Sequence, residues 1–279
     1  MTTLRRAACV IGYPARHSRS PKLHGYWLRR YGIDGDYRAE EIAPEDFADF
    51  VSNLAANGYA GANVTIPHKE AALALSRPDE RAQTVGAANT LWFEDGQLRS
   101  TNTDVEGFIA ALDSCAPGWD RRGGEAVVLG AGGAGRAIVH GLLERGIARV
   151  HVVNRTPERA AAFRDRFGAR VHPAGWADLP SLLAGATLLA NSTSLGMKGQ
   201  PELAIDLSPM PAGSVVADAV YIPLRTPLLR AAERRGFATS NGLDMLLHQA
   251  VRGFELWFGV RPEVTAELRE MLVADIEKA

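Results

Sequence analysis

The chain has 279 residues, 46% of them hydrophobic and 23% charged, enough apolar material for one large domain or two modest ones and nothing that demands disorder. A formal net charge of −1 excludes wholesale attraction to nucleic acid or another polyanion, so any anion must be recognised locally. Two cysteines, Cys9 and Cys115, without CxxC spacing, exclude a disulfide framework and a zinc site and fit a reducing compartment.

Met1 to Arg6 is followed by an apolar run that Gly12 and Pro14 cut too short for a signal-peptide core. No stretch approaches the ~20 apolar residues of a membrane span. The cytoplasm is therefore the expected location, with no membrane partner.

In chain order, Ala7–Ile11 reads as a strand and Pro21–Tyr31 as a helix, with Ser20 at the N-cap and Pro21 at the first helical position. Residues 45–57 read as a second helix, Gly61–Ile66 as a strand and Pro67–Ser76 as a helix. Thr90–Phe93 and Gln97–Thr101 flank Asp95-Gly96, a hairpin turn. Pro117–Gly124, rich in Gly, Pro and charge, separates this from a new pattern: strand Glu125–Leu129, helix Gly133–Arg145, strand Arg149–Val153 and helix Pro157–Phe167. Strands Thr187–Asn191 and Val215–Val220 follow, then helix Thr226–Arg235 ended by Gly236, and helices Leu243–Phe258 and Pro262–Lys278. The alternation predicts an α/β protein: an N-terminal α/β domain over residues 1–105, whose hairpin adds antiparallel strands, and a doubly wound domain over 106–240. The C-terminal helices, 241–279, are expected to pack back onto the first domain.

Gly130, Gly132 and Gly135 match G-x-G-x-x-G between a strand and a helix. The first glycine allows the tight turn, the second admits a pyrophosphate, and the third lets helix and strand pack closely; the helix N-terminus adds free N–H groups and a positive dipole end. The next strand ends in Asn154-Arg155-Thr156, where a carboxylate would mark NAD. A guanidinium can instead fork onto a 2′-phosphate, so NADP is expected. The competing reading leaves Arg155 a solvated charge and Thr156 a helix cap. Residues 191–197 follow a strand at the edge where ligands gather, and are expected to line the nicotinamide half.

In the first domain, Ser18 and Ser20 stand two apart on an extended segment, so both hydroxyls can grip one carboxylate or diol. Ser20 can equally serve only as a cap. Lys69, in Asn63-Val64-Thr65-Ile66-Pro67-His68-Lys69, falls in the first turn of a helix, where a cation is disfavoured by roughly 0.3–1 kcal/mol. Either it is a proton-exchanging lysine with a lowered pKa, or it is a surface lysine paired with Glu70. Asn63 and Thr65 alternate along one strand, Asn89 precedes the hairpin, and Asp104 precedes a helix that it could cap. Together they offer what a small polyol needs.

The ordered set resembles the shikimate dehydrogenase family over nearly the whole chain. It comprises His17-Ser18-Arg19-Ser20-Pro21, residues 63–69, Ala87-Ala88-Asn89-Thr90, Asn102-Thr103-Asp104, the turn Gly130-Ala131-Gly132-Gly133-Ala134-Gly135, Asn154-Arg155-Thr156, and residues 241–250. The resemblance implies reversible NADPH-dependent reduction of 3-dehydroshikimate to shikimate in aromatic amino-acid biosynthesis, in a cleft between a substrate domain and a Rossmann-type domain. It implies Lys69 and Asp104 as the catalytic pair. Ser18, Ser20 and Tyr221 would hold the substrate carboxylate, and Asn63, Thr65, Asn89 and Gln249 its other oxygens. The cofactor would meet Gly130, Ala131, Gly132, Gly133, Ala134, Gly135, Asn154, Arg155, Thr156, Thr193, Met197 and Gly242. Gly25 after His24, and Val105 after Asp104, depart from the residues many members carry, Asn and Gly respectively; neither falls on a residue assigned to chemistry. No metal is expected, and a homodimer stays open. Three other readings stand beside this one: a quinate/shikimate dehydrogenase with broader substrate or cofactor use, a non-catalytic NADPH-sensing module, and a thioester-forming reductase, which would need a nucleophilic Cys9 or Cys115.

Overall fold

The computed structural model describes residues 6–121 and 123–278, so most of the Met1–Arg6 segment weighed above as a leader lies outside the described residues. The chain forms two compact units. One runs up to Thr103 and resumes from Gln249 to Asp275; the other spans Asp104–His248 and takes the residues from Ile276 onward.

The first unit carries β1 (Arg6–Gly12), α1 (Ser20–Arg30), β2 (Gly35–Glu41), α2 (Phe47–Ser52), β3 (Tyr59–Val64), α3 (Lys69–Ala74), β4 (Arg77–Pro78), α4 (Glu80–Val85), β5 (Thr90–Glu94) and β6 (Gln97–Thr101). Its six-stranded sheet has the order β2-β1-β3-β5-β6-β4. β1 pairs in parallel with β2 and β3, while β5 is antiparallel to both β3 and β6 across the Asp95-Gly96 turn. Asp95 and Gly96 both take positive φ, as a primed hairpin turn requires. Cys9, Ile11, Phe47, Leu54, Ala62 and Leu91 form the core between this sheet and its helices.

The second unit carries α5 (Asp104–Cys115), β7 (Glu125–Leu129), α6 (Gly133–Glu144), β8 (Arg149–Val153), α7 (Pro157–Phe167), β9 (Val171–Ala174), α8 (Leu179–Leu183), β10 (Ala186–Asn191), β11 (Val215–Asp218), α9 (Pro227–Arg234) and β12 (Ala238–Asn241). Its sheet is parallel throughout, in the order β12-β11-β10-β7-β8-β9. Alternate residues of each strand feed two cores, as a sheet covered on both faces requires. Ala126, Val128, Val150 and Val152 join one core; Val127, Leu129, Val153 and Val216 join the other. The strand order reverses between β10 and β7, the switch point at which open α/β sheets bind ligands.

α10 (Gly242–Phe258) starts in the second unit and ends in the first, where α11 (Ala266–Glu277) follows. In the first unit, Trp257 Nε1 donates to Leu91 O at 2.8 Å and Trp27 Nε1 to Glu263 O at 3.0 Å. Gly61 permits this seat, since a Cβ there would lie 2.2 Å from Trp257 Nε1.

Several expectations are corrected. α1 starts at Ser20 itself, so Ser20 does not cap it; Ser18 Oγ accepts the Ser20 N–H at 3.2 Å instead. α3 starts at Lys69, not Pro67, because a turn closed by His68 N–H to Thr65 O at 3.0 Å precedes it. The helix expected over 45–57 shrinks to α2, and the last helix begins at Ala266 rather than Pro262. The Thr156 side chain makes no cap bond to α7. The pattern missed β2, β4, β9, β12, α4 and α8.

Candidate active site

In the first unit, the ends of β3 and β5 carry the polar residues of interest. His68 is buried, stacked on Phe47 at 4.3 Å, and its Nε2 lies 2.8 Å from Ile42 O, so the turn that presents Lys69 is anchored to the core. Ala88 N–H donates to Lys69 O at 2.9 Å, and Val64 N–H to Asn89 O at 2.8 Å. Lys69, Asn63 and Asn89 are therefore neighbours on one backbone frame. Lys69 is half-buried, and Thr65 stands one residue past the end of β3.

Asn63 does not simply face a ligand. Its Oδ1 accepts the Tyr37 phenol at 2.6 Å, and its Nδ2 donates to Asn89 O at 3.3 Å and Thr90 Oγ1 at 3.2 Å. It is a strut behind Asn89. Asn89 Oδ1 accepts the backbone N–H of Thr103 at 2.7 Å, and Thr103 Oγ1 lies 3.3 Å from Gln249 Oε1. Gln249, from α10, thus joins Asn89 through Thr103. Tyr37 and Thr103 escaped sequence reasoning: Tyr37 sits on an edge strand that the sequence pattern left unassigned, and Thr103 shows its partners only in three dimensions. Ser20, the first residue of α1, is buried, and Ser18 is half-buried on the loop before it, whose Ala15 and Arg16 N–H groups both reach Glu41 Oε2.

In the second unit, Asp104 is the first residue of α5 and is buried. Gly130 follows β7 with φ +99°, a conformation that favours glycine, and a Cβ there would meet Ser192 Oγ at 2.8 Å. A Cβ on Gly135 would lie 2.6 Å from Gly130 O, whereas Cβ atoms on Gly132 or Gly133 would meet nothing within 4 Å. The turn is therefore tight beneath and open above the N-terminus of α6, a cradle for phosphate. Asn154 Oδ1 accepts Ala131 N–H at 3.2 Å, so an amide stiffens the turn where a ribose-binding carboxylate would sit. Arg155 and Thr156 are exposed next to it, with no carboxylate in that place to repel a 2′-phosphate. These features fit NADP.

Across the switch point, Ser192 Oγ donates to Leu129 O at 2.7 Å, tying the loops after β10 and β7. Thr193 turns inward, its hydroxyl donating to Asn191 Oδ1 at 2.7 Å and accepting Leu195 N–H at 3.1 Å, while Met197 is exposed. Asp218, also missed in the sequence, accepts from Asn191 Nδ2, Val220 N–H and the Thr226 hydroxyl at 2.8, 3.0 and 2.7 Å. Burial raises its carboxyl above the usual range. It braces the loop that leads to half-buried Tyr221. Gly242 is sterically required, since a Cβ would lie 2.1 Å from Ala219 O.

Burial pushes the Cys9 thiol well up and the Cys115 thiol to about 11, so neither is the activated nucleophile a thioester route requires. Among the described residues no helix is long and apolar enough to cross a membrane.

Three family models match this chain: "Shikimate dehydrogenase substrate binding domain" over residues 10–91, "Shikimate / quinate 5-dehydrogenase" over 118–197, and "Shikimate 5'-dehydrogenase C-terminal domain" over 242–266. The chain belongs to the shikimate dehydrogenase family. A shikimate dehydrogenase (NADP(+)) of Rhodopseudomonas palustris strain TIE-1 is 63% identical over 276 residues, covering 99% of both chains. Its counterpart in Nitrobacter winogradskyi is 64% identical over 274 residues, 98% of both. Among solved structures, the shikimate dehydrogenase of Thermus thermophilus with NADP(H) and shikimate superposes with a TM-score of 0.85 at 36% identity, covering 98% of this chain and 99% of that one. A quinate dehydrogenase of Corynebacterium glutamicum with NAD superposes at 0.88 with 29% identity, covering 97% and 99%. The shikimate dehydrogenase fold accounts for the pairing of a mixed sheet with a fully parallel one.

Proposed function

We infer that the chain catalyses the reversible NADPH-dependent reduction of 3-dehydroshikimate to shikimate. The identity of 63% across 99% of both chains with an NADP(+)-dependent shikimate dehydrogenase carries this reading. When bound, the nicotinamide supplies the hydride, or accepts it in the reverse direction. The Lys69 ammonium stabilises the charge that grows on the ketone oxygen and gives that oxygen its proton; in reverse, the amine takes the proton from the hydroxyl. Asp104 orients Lys69 and accepts a hydrogen bond from a neighbouring substrate hydroxyl. Ser18, Ser20 and Tyr221 hold the substrate carboxylate. Thr65, Asn89 and Gln249 hold its other oxygens, with Asn63 fixing Asn89 from behind.

For the cofactor, Gly130, Ala131, Gly132, Gly133, Ala134 and Gly135 take the pyrophosphate over the α6 N-terminus. Asn154 holds that turn, Arg155 and Thr156 take the 2′-phosphate, and Met197 and Gly242 line the nicotinamide half, with Thr193 shaping the loop from within. The two cysteines are unpaired, which supports action in the cytoplasm.

The likeness to the NAD-bound quinate dehydrogenase supports a second reading, a quinate enzyme with looser cofactor choice. Steady-state rates with shikimate and quinate, each with NADP and NAD, separate the two. Shikimate with NADP is expected to give the highest kcat/KM; quinate with NAD giving the highest overturns the assignment. Lys69→Ala is expected to lower kcat roughly 10²- to 10⁴-fold while leaving NADPH binding intact. An unchanged kcat removes Lys69 from the chemistry and favours a sensing module.

A further inference from the structure

We propose that Asp275, near the end of α11, is a positioning residue for the substrate carboxylate: its ion pair with Arg19 holds the Ser18-Arg19-Ser20 segment in place from the far end of the chain. The proposal rests on the reading that Ser18 and Ser20 hold that carboxylate.

The segment is fastened at both ends. At its start, the Ala15 and Arg16 N–H groups reach Glu41 Oε2 at 3.2 and 3.4 Å, and the Ser18 N–H donates to Ala15 O at 3.0 Å. Ser18 Oγ then accepts the Ser20 N–H at 3.2 Å, and Arg19 O accepts the Leu23 N–H at 3.1 Å as α1 begins. Arg19, the residue between the two serines, sends its side chain to α11. Its Nε lies 2.9 Å from Asp275 Oδ2, and Lys22 Nζ contacts Asp275 Oδ1. The Arg19 and Asp275 side chains are only 17% and 22% exposed, so water and salt screen this pair less than a pair on the open surface.

The charge pattern of α1 gives the pair a physical reason. Arg19 stands at its N-cap without a side-chain cap bond, and the first turn carries no acid. Two cations, Arg19 and Lys22, thus face the positive end of the helix dipole, where they are disfavoured. Asp275 supplies the missing acid from another element of the same unit. α11 is a firm base for it: Leu268 and Leu272 are fully buried, and Asp275, three residues past Leu272, flanks that apolar face. Near the start of α11, Glu267 Oε2 accepts the Tyr26 phenol at 2.9 Å and lies 3.6 Å from Arg30 Nη1. Contacts that ascend α11 descend α1, so the two helices run antiparallel with a polar contact at each end. A tether and a plain field effect have opposite signs here. If Asp275 acted only through its charge, removing it would draw an anionic substrate toward Arg19 and tighten binding. If it holds the serines, removing it weakens binding.

The test compares the full-length wild-type enzyme with Asp275→Asn, Asp275→Glu, Arg19→Gln, the Arg19→Gln/Asp275→Asn double variant and Ser18→Ala. Asp275→Asn keeps the size of the side chain and loses its charge. It is expected to raise the KM for shikimate roughly three- to tenfold, with kcat and the KM for NADP within about twofold of wild type. A loss of folded enzyme alone would lower kcat and leave that KM unchanged. Asp275→Glu is expected to bring the KM back to within about twofold of wild type, because the carboxylate is restored. Arg19→Gln is expected to raise the KM as Asp275→Asn does, and the double variant to add little to either, because the two side chains act as one pair. Ser18→Ala is expected to raise the same KM by removing the contact itself.

A lowered or unchanged shikimate KM in Asp275→Asn, beside a raised one in Ser18→Ala, overturns the tether and leaves the serine contact standing. So does a KM in Asp275→Glu as high as in Asp275→Asn, or full addition of the two effects in the double variant. An unchanged KM in Ser18→Ala overturns the serine contact, and the tether with it.

Discussion

His24 makes the acid stability of the first unit a test of its packing. The imidazole is fully buried among Tyr37, Trp27, Phe254 and Trp257, with the Asn63 side chain beside it. Burial lowers its pKa from 6.5 to about 3. Between those values the unfolded chain binds a proton that the folded chain refuses, so stability falls as pH drops through that window and is fully present above it. At about 1.4 kcal/mol for each pH unit below 6.5, the loss at pH 4 is about 3 kcal/mol, a large share of an ordinary domain's stability. His24→Phe keeps a ring against Tyr37 and removes the titration. Urea unfolding at pH 7 and pH 4, followed by fluorescence, reads the effect, because Trp27 and Trp257 are both buried against this ring. The wild type is expected to lose about 3 kcal/mol more than His24→Phe between the two conditions. Titrations elsewhere cancel in that difference. Equal losses would mean that the buried imidazole takes up its proton without unfolding, and the packing argument would fall.

Arg155→Ala is expected to raise the KM for NADP roughly 10- to 100-fold and leave that for NAD unchanged, the signature of a lost charge-assisted bond to a 2′-phosphate; parallel losses with both cofactors would return Arg155 to a solvated charge. Gly135→Ala places a methyl 2.6 Å from Gly130 O, so NADPH binding measured by fluorescence quenching is expected to weaken roughly tenfold or more, and a wild-type Kd would contradict the tight-turn reading. Asp218→Ala strips the acceptor from three buried donors and is expected to cost about 3 kcal/mol in a thermal melt; an unchanged Tm would show that the loop before Tyr221 does not depend on it.

The elements that the sequence hid share a physical cause. β2, β4, β9 and β12 are the outermost strands of the two sheets. An edge strand needs few apolar side chains and is often kept polar to prevent further pairing. Accordingly β2 reads Gly-Asp-Tyr-Arg-Ala-Glu-Glu with Tyr37 as its one fully buried residue, β9 contains Pro173, and β12 is Ala-Thr-Ser-Asn. The central strands, buried on one or both faces, announce themselves by apolar runs. α4 had a readable start, since Asp79 accepts Ala82 N–H at 2.8 Å, and a readable stop in Gly86 at φ 71°, but its six residues are too few for a helical period to stand out.

The two halves of the site divide along the same line. The cofactor turn is local chemistry, six consecutive residues between a strand and a helix, and its three motif glycines meet in space what the spacing implied: a tight turn at Gly130, open room at Gly132, a close approach at Gly135. The substrate half is assembled from a distance. Thr103 Oγ1 meets Gln249 across 146 residues and Tyr37 meets Asn63 across 26, so no window along the chain could pair them. Ser18 and Ser20 illustrate how little separates the two cases. Both are legible as a pair of hydroxyls, yet the division of labour between them turns on where α1 begins. With the helix starting at Ser20, Ser18 is the residue whose oxygen receives the Ser20 N–H, and the Ser20 hydroxyl is freed from the role of cap. Residue types can be read from a motif, but which of their atoms remain for a ligand depends on hydrogen bonds that only the folded backbone assigns.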